Sequence, residues 1–153
     1  MKEVFTSIKS LISTNINVND IRRYNNQVSR LSTGKSTLYL PSILIEISNI
    51  EYTFRSVKYH KGIADLNIHI VTEDFDDGEK LYDLEEEVNN LLDKYSDGIN
   101  FEPLLKVSQE VDSDYDNVIV SILTFELHFV DYVVDKDAGD DILLDLDLTT
   151  ETE

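Results

Sequence analysis

Hydrophobic positions recur at helical spacing near the start of the chain and again in its middle. In residues 3–14 they form one side of an amphipathic helix, made of Val4, Phe5, Ile8, Leu11 and Ile12. A second helix is predicted after residue 79, with an apolar stripe of Leu81, Leu84, Val88, Leu91, Leu92 and Tyr95. Its outer side is predicted to carry Glu85, Glu86, Glu87 and Asp93. The following Asp97–Gly98 pair is typical of a helix end.

Elsewhere apolar and polar residues alternate with a period of two, which is typical of β-strands. Strands are predicted at residues 40–47, 51–60, 65–71, 105–111 and 117–131, with turns at Lys61–Gly62 and at residues 112–117. Pro41 stands at the start of the first strand, where a missing hydrogen-bond donor costs least. The polar segment 18–31 is ambiguous and accommodates a short strand near its start. The predicted fold is α+β: an antiparallel or mixed β-sheet of about five strands with two helices packed on one face, in the order α-β-β-β-α-β-β.

The composition shifts after this last strand. Residues 131–153 hold nine acidic residues and one basic residue, and Leu144, Leu146 and Leu148 alternate with Asp145 and Asp147. We therefore predict a single domain over residues 1–132 and an acidic C-terminal arm over residues 133–153. Two interpretations of the arm remain open. It is either a flexible acidic tail, or a segment that becomes ordered on a neighbouring subunit by β-strand addition or similar docking.

Composition limits the function classes that this chain of 153 residues can belong to. It has no cysteine, which excludes disulfides, thiol catalysis and thiolate metal sites. No apolar run approaches the roughly 18–20 residues of a membrane-spanning helix, and the first residues lack a signal-peptide pattern. We expect a soluble intracellular protein with no membrane partner.

The net charge of −18 is unevenly distributed. Residues 1–61 hold nine basic and four acidic residues, whereas residues 62–153 hold four basic and twenty-seven acidic ones. Specific nucleic-acid binding is not expected, because phosphate binding depends on Lys and Arg. A basic third and an acidic two-thirds favour head-to-tail association between copies of the chain. The alternative is that the acidity only confers solubility.

Three near-matches to chemical motifs fail at identifiable positions. Gly34-Lys35-Ser36 would end a phosphate-binding loop only if a glycine stood at Ser29. The acidic clusters at residues 73–79 and 112–117 would be calcium loops only if their closing glutamates did not fall on Leu84 and Leu123. A capped helix start and a polar turn explain the two clusters more simply.

The histidines likewise form no recognisable site. His60, His69 and His128 show no zinc-binding spacing, and His69 and His128 are predicted on the sheet surface opposite the main apolar face. No nucleophile motif such as Gly-x-Ser-x-Gly accompanies them. We therefore expect no catalytic, metal-binding or cofactor-binding residues, no cofactor and no enzymatic activity.

In its order of elements the chain resembles the tail terminator, or tail completion, proteins of long-tailed bacteriophages. The resemblance spans about residues 3–132. It lies in the order of the elements and the general residue pattern of several segments, not in an invariant motif. It rests on four features after the first helix: the polar segment 22–27, the Pro-initiated strand 40–47, the glycine-led strand 61–70 before a long helix, and a closing β-hairpin.

The resemblance implies a hexameric ring that stops tail-tube polymerisation and offers a docking face for the head connector. The implied partners are other copies of the chain, the tail-tube protein and the head connector or neck protein. The implied location is the tail or neck of the virion, with assembly in the host cytoplasm. DNA would pass through the ring without specific binding, because an acidic wall repels it. The arm beyond residue 131 has no counterpart from which a role can be transferred.

Two other hypotheses remain from the sequence. The first is another head–tail connector, neck or tail-tube protein. The second, from a different class, is an acidic binding module such as a DNA-mimic inhibitor, which the basic first third argues against. For the assembly hypotheses the candidate subunit-interface residues are Arg22, Arg23, Arg30, Arg55, Lys58, Leu144, Leu146 and Leu148.

Overall fold

The computed structural model describes residues 1–31, 33–34, 37–73, 78–115 and 117–133. The helices are α1 (Lys2–Asn15), α2 (Gln27–Leu31) and α3 (Glu79–Leu92). The strands are β1 (Asp20–Arg23), β2 (Ser42–Arg55), β3 (Tyr59–Glu73), β4 (Leu105–Asp112) and β5 (Val118–Tyr132). The five strands form one sheet in the order β1-β2-β3-β5-β4. β1 is parallel to β2, and the other neighbours are antiparallel, so the predicted mixed α+β fold is confirmed.

The main core lies between the sheet and the helices α1 and α3. Every fourth residue along α1, Val4, Ile8 and Ile12, is buried, as the helical spacing predicted. The corresponding buried residues of α3 are Leu81, Leu84, Val88 and Leu92. Alternate strand residues meet these helices, including Ile45, Leu66, Ile68, Leu123 and Phe125. Both long helices therefore pack on one face of the sheet, as predicted.

A second, smaller core covers part of the opposite face. It contains Val28 from α2, Leu38 from the segment that leads to β2, and Leu44, Val71 and Val120 from the sheet. Helix α2 was not predicted, because a five-residue helix with two buried residues leaves too little periodicity to recognise. β1 lies within the ambiguous segment, where a short strand was expected. β2 begins at Ser42, directly after a cis Leu40–Pro41 bond.

The predicted strands 40–47 and 51–60 are one continuous strand, β2, which passes through a bulge between Ser48 and Glu51. The limits of the predicted strand 65–71 and of the turn at Lys61–Gly62 were also wrong. β2 continues to Arg55, the turn occupies residues 56–58, and Lys61 and Gly62 lie inside β3. The physical reason for the turn is Ser56, whose hydroxyl oxygen accepts the backbone N–H groups of Lys58 and Tyr59.

Gly62 is required inside β3 rather than at a turn. A Cβ at this position would lie 2.5 Å from the carbonyl oxygen of Glu51 and 2.5 Å from the Phe129 ring. Only glycine allows the backbone to approach these groups so closely. Its role is packing across three strands.

Two predictions about α3 were also wrong. Glu85 is buried, with 6% of its surface exposed, although it was predicted on the outer side. The helix ends at Leu92 rather than at Asp97–Gly98. Lys94 then turns the chain with a positive φ of 65°, and its N–H donates to the Leu104 carbonyl. This hydrogen bond to the start of β4 redirects the chain before the glycine is reached.

Candidate interaction surfaces

The three strands β2, β3 and β5 extend beyond the helices and form a projecting end of the sheet. We call residues 49–61, the end of β2 with its turn and the start of β3, the hairpin tip. Every residue of β2 from Asn49 to Arg55 is exposed, so neither face of the strand is covered there. The tip is nonetheless rich in aromatic side chains. Phe54, 48% exposed, lies 5.5 Å from Tyr59 between ring centroids, and Tyr59 neighbours Tyr132 of β5.

Basic side chains accompany these aromatic rings. The Arg55 guanidinium lies over the Tyr52 ring, 5.2 Å from its centroid, and Lys58 lies exposed in the turn. A cation over an aromatic face is typical of interaction surfaces that are partly apolar and partly charged. Arg55 and Lys58, two candidate interface residues from the sequence, thus lie together at the tip.

The other basic candidate residues differ in what their side chains contact. Arg22 is held by its own strand, because its guanidinium contacts the Asp20 carboxylate at 2.8 Å. Arg30 donates to the backbone carbonyl of Asn25 and so stabilises the approach to α2. Arg23 is exposed, and its side chain has no ion pair among the described residues. Leu144, Leu146 and Leu148 lie outside the described residues, so their predicted interface role stays a prediction.

A groove lies next to Arg23, between the first turns of α1 and the outer side of β2. We call it the α1–β2 groove. It has a volume of about 460 Å³, and Lys2, Phe5, Arg23, Ile45, Ile47 and Ile50 are among its lining residues. The groove is therefore apolar at its base and basic at its rim. The sequence pattern did not reveal it, because it depends on where α1 crosses the sheet.

The opposite edge of the sheet is formed by β4, which is exposed along almost its whole length. Its apolar residues Leu105, Val107 and Val111 are each about half exposed, because neither α1 nor α3 reaches over this strand. β4 pairs with β5 on one side, and no described strand pairs with its other side. An unpaired edge with apolar side chains is a template for association with another chain.

The strand order converts the uneven charge along the chain into a difference between two edges. β1 and β2, from the basic first third, form one edge, and β4, from the acidic remainder, forms the other. Beside the β4 side of the sheet, α3 carries exposed Glu79, Asp83, Glu86 and Glu87. The two edges therefore differ in shape, and the chain segments that supply them differ in the sign of their net charge, while the edge strands themselves are close to neutral.

One buried polar cluster lies around His69. His69 lies on the predicted face, but it is buried rather than at the surface, because the Tyr24 ring stacks on it at 4.2 Å between centroids. Its Nε2 contacts the Glu46 carboxylate at 2.8 Å. Burial, and secondarily the negative charge of Glu46, raises the pKa of the Tyr24 hydroxyl above its ordinary value. The cluster joins β2 and β3 to the segment before α2, which is a structural role.

The structure describes most of the chain in which a metal site or a membrane-spanning helix would be found. There, no group of three His, Cys, Asp or Glu side chains is arranged to hold a metal ion. The acidic residues 74–77 and 116 of the two candidate calcium loops lie outside this part. Among the described helices, none combines the length and apolar character needed to cross a membrane.

Comparisons with known proteins add a structural likeness. No protein-family model and no curated protein matches the chain. Among solved structures, it is similar to a chain in the virion of a native gene transfer agent particle, with a TM-score of 0.53 and 9% sequence identity. The match covers 80% of this chain and 84% of that chain. At this identity the likeness shows a shared fold.

Proposed function

We propose that this protein is a structural component of a virion or virion-like particle and that it works by assembling with other protein chains. More specifically, we propose that it forms a ring at the head-proximal end of a phage tail. The ring ends the growth of the tail tube and joins it to the head connector. The observation that carries the proposal is that one sheet has two different unpaired edges, one supplied by the basic part of the chain and the other by the acidic part. The fold shared with a chain of a gene transfer agent virion supports it.

Two different edges favour a ring over a symmetric dimer. In a head-to-tail contact, one surface of a subunit meets a different surface of the next subunit. The basic β1–β2 edge and the acidic β4 side are complementary in this sense, since opposite charges attract and like edges repel. A head-to-tail contact either closes into a ring or grows into a filament. Closure limits the copy number, as a component that ends a tube requires.

The same surfaces argue against the DNA-mimic alternative. A DNA mimic needs a continuous acidic face, whereas this molecule combines an acidic helix with a basic edge and a basic, aromatic hairpin tip. Another neck or tail-tube component would use similar edges. It would differ in its assembled state, because a tube protein forms long polymers and a terminating ring does not.

Native mass spectrometry at low and moderate salt tests the proposal. We expect a closed oligomer of about six copies that dissociates as the salt concentration rises, because the contacts are partly electrostatic. Long polymers would indicate a tube protein instead. A monomer at high protein concentration and low salt, which also fails to bind tail-tube ends, would contradict the ring.

Charge reversal identifies the edge that is involved. The double variant Arg23→Glu/Arg55→Glu should weaken assembly by about tenfold or more, because like charges placed across an interface cost about 1–2 kcal/mol. Lys80→Glu/Lys94→Glu is the comparison, since it makes the same change in net charge at exposed positions on the acidic side, where added negative charge should not weaken the attraction to a basic edge. Both variants should unfold at the same denaturant concentration. Equal assembly by the two would exclude the basic edge from the interface.

A further inference from the structure

The outer side of β2 is left open beyond the end of β1. β1 pairs with β2 over four positions, from Asp20↔Ser42 to Arg23↔Ile45, and Tyr24 N–H still donates to the Ile45 carbonyl. From Ile47 onward, no described strand pairs with this side of β2. Because strand backbone groups alternate in direction, the N–H and C=O of Ile47 point to the same open side as the Ile45 carbonyl. An extended segment could therefore add to β2 in line with β1 as far as Ile47, where regular pairing stops at a bulge between Ser48 and Glu51 in which Asn49 has a positive φ of 50°.

The α1–β2 groove lies beside this open edge and defines what kind of segment fits. Ile45 and Ile47 form its base, and Ile50, which is 44% exposed, continues it toward the hairpin tip. Lys2 and Arg23 lie at the rim and are both exposed. The complementary ligand is an extended peptide with alternating apolar and acidic residues. Its apolar side chains would cover the isoleucines, and its carboxylates would neutralise the rim.

The arm of this same chain contains such a segment. Residues 142–148 read Ile-Leu-Leu-Asp-Leu-Asp-Leu, with Leu144, Leu146 and Leu148 on one side of a strand and Asp145 and Asp147 on the other. Eight residues, 134–141, separate this segment from the end of the described chain, and they span about 26 Å when extended. The open edge of β4 is a poorer site, because α1 and α3 make their main contacts with the other strands and leave no comparable groove beside it.

The direction of the chain end favours a neighbouring copy as the source of the segment. β5 ends at the hairpin tip, where Val133 N–H donates to the Lys58 carbonyl. β2 and β5 both run toward the tip, since each is antiparallel to β3. To reach its own groove, the arm would have to pass around the tip, cross β3 and reverse its direction. The groove of a neighbouring copy can be reached without this path around the chain's own tip.

We propose that the α1–β2 groove of one subunit binds residues 142–148 of a neighbouring copy, which add a strand to the open edge of β2. This inference rests on the proposed assembly into a ring. It also gives the basic edge a specific role, because Arg23 and Lys2 neutralise the aspartates of the incoming segment.

Disulfide cross-linking tests this directly, because the chain has no cysteine of its own. Ile50→Cys and a ¹⁵N-labelled Leu146→Cys variant are mixed at low salt and mildly oxidised, and the products are separated without reductant. We expect a dimer that contains one labelled and one unlabelled chain, identified by intact mass and peptide mapping. No such dimer would overturn the proposal. Ring formation measured in the same mixture shows whether the ring itself persists when the docking fails.

Two controls sharpen the result. Asp145→Cys replaces Leu146→Cys and places the thiol on the opposite side of the added strand, so its cross-link to Ile50→Cys should be several-fold weaker. Equal yields from the two would overturn the strand geometry. In the double variant Ile50→Cys/Leu146→Cys, docking within one chain would form an internal disulfide. The cross-linked monomer would then migrate faster than the uncross-linked one on a non-reducing denaturing gel. That product, without the mixed dimer, would overturn the assignment to a neighbouring copy.

Discussion

The part of the sheet beneath the helices and the part that projects as the hairpin tip are built from the same strands, yet they bury different amounts of surface. In the covered part, β3 and β5 have apolar residues on both faces, since α1 and α3 cover one face and α2 covers the other. In the projecting part, β2 is exposed from Asn49 onward and carries Tyr52 and Phe54 in contact with solvent. The covered part accounts for folding. The projecting part places aromatic and basic side chains where another subunit can bind.

The largest expected effect is the difference in stability lost when one phenylalanine from each part is replaced by alanine. Phe125→Ala, in the fully buried core, should lower the free energy of unfolding by about 3–5 kcal/mol. Phe54→Ala, at the hairpin tip, should change it by less than about 0.5 kcal/mol, because the side chain is already half exposed. Denaturant unfolding of the monomer measures both, and native mass spectrometry should show that only Phe54→Ala weakens assembly while the fold is retained. Similar losses of stability from both variants would contradict the division into two parts.

A smaller effect is expected at Gly62, where the two parts meet. Gly62→Ala should destabilise the protein by about 1–3 kcal/mol, because its Cβ would overlap the backbone of Glu51 and the ring of Phe129. Gly98→Ala is the control. There the added Cβ meets no atom within 4 Å, and the expected cost of about 1 kcal/mol comes from the positive φ of 74°. If thermal unfolding ranked Gly98→Ala as the more damaging change, close packing would not be the reason for Gly62.

The smallest expected effect is at Asp97, in the loop between α3 and β4. Its carboxylate accepts the backbone N–H groups of Ile99, Asn100 and Phe101. Partial burial alone would raise the pKa of Asp97, but these hydrogen bonds and one from the Asn100 side chain outweigh it and lower the pKa below 3.8. Asp97→Ala should therefore cost about 1 kcal/mol at neutral pH, as for other capping carboxylates.

The contribution of Asp97 to the free energy of unfolding should depend on pH in one direction. Because the folded-state pKa of Asp97 is depressed, its contribution is present above the unfolded-state pKa and is lost as the pH falls through the folded-state value. The stability difference between the wild type and Asp97→Ala should shrink below about pH 4. Asp97→Asn is the control, because its amide oxygen can still accept backbone N–H groups but carries no charge. A gap that stays constant into acid would mean that the carboxylate charge is not involved.

Much of the fold could be predicted because its signals are local. The apolar stripes of α1 and α3 follow from a period of 3.6 residues, and the alternation in β5 follows from a period of 2. All three elements lie where the sequence predicted them. The limits of β2 and β3 could not be predicted in the same way. Gly62 is a common turn residue, and nothing nearby in the sequence shows that Phe129, far along the chain, occupies the space of its side chain.

The candidate site was predicted less completely than the fold. The sequence identified Arg23, Arg55 and Lys58 as basic and exposed, but it also included Arg22 and Arg30, whose guanidinium groups make local contacts. The exposed apolar edge of β4 was not predicted. Its alternation resembles that of a covered strand, and whether a helix lies over it depends on the arrangement of other elements.

By itself, the sequence determined the fold class, the two long helices with their buried faces and the uneven charge along the chain. These are properties of neighbouring residues, which local spacing and composition express directly. Only the tertiary structure decided that β1 ends before β2 does, that α1 leaves a groove beside the open edge, and that the basic and acidic segments lie on opposite edges of one sheet. These depend on contacts between residues far apart in the chain, which pairing and packing establish together.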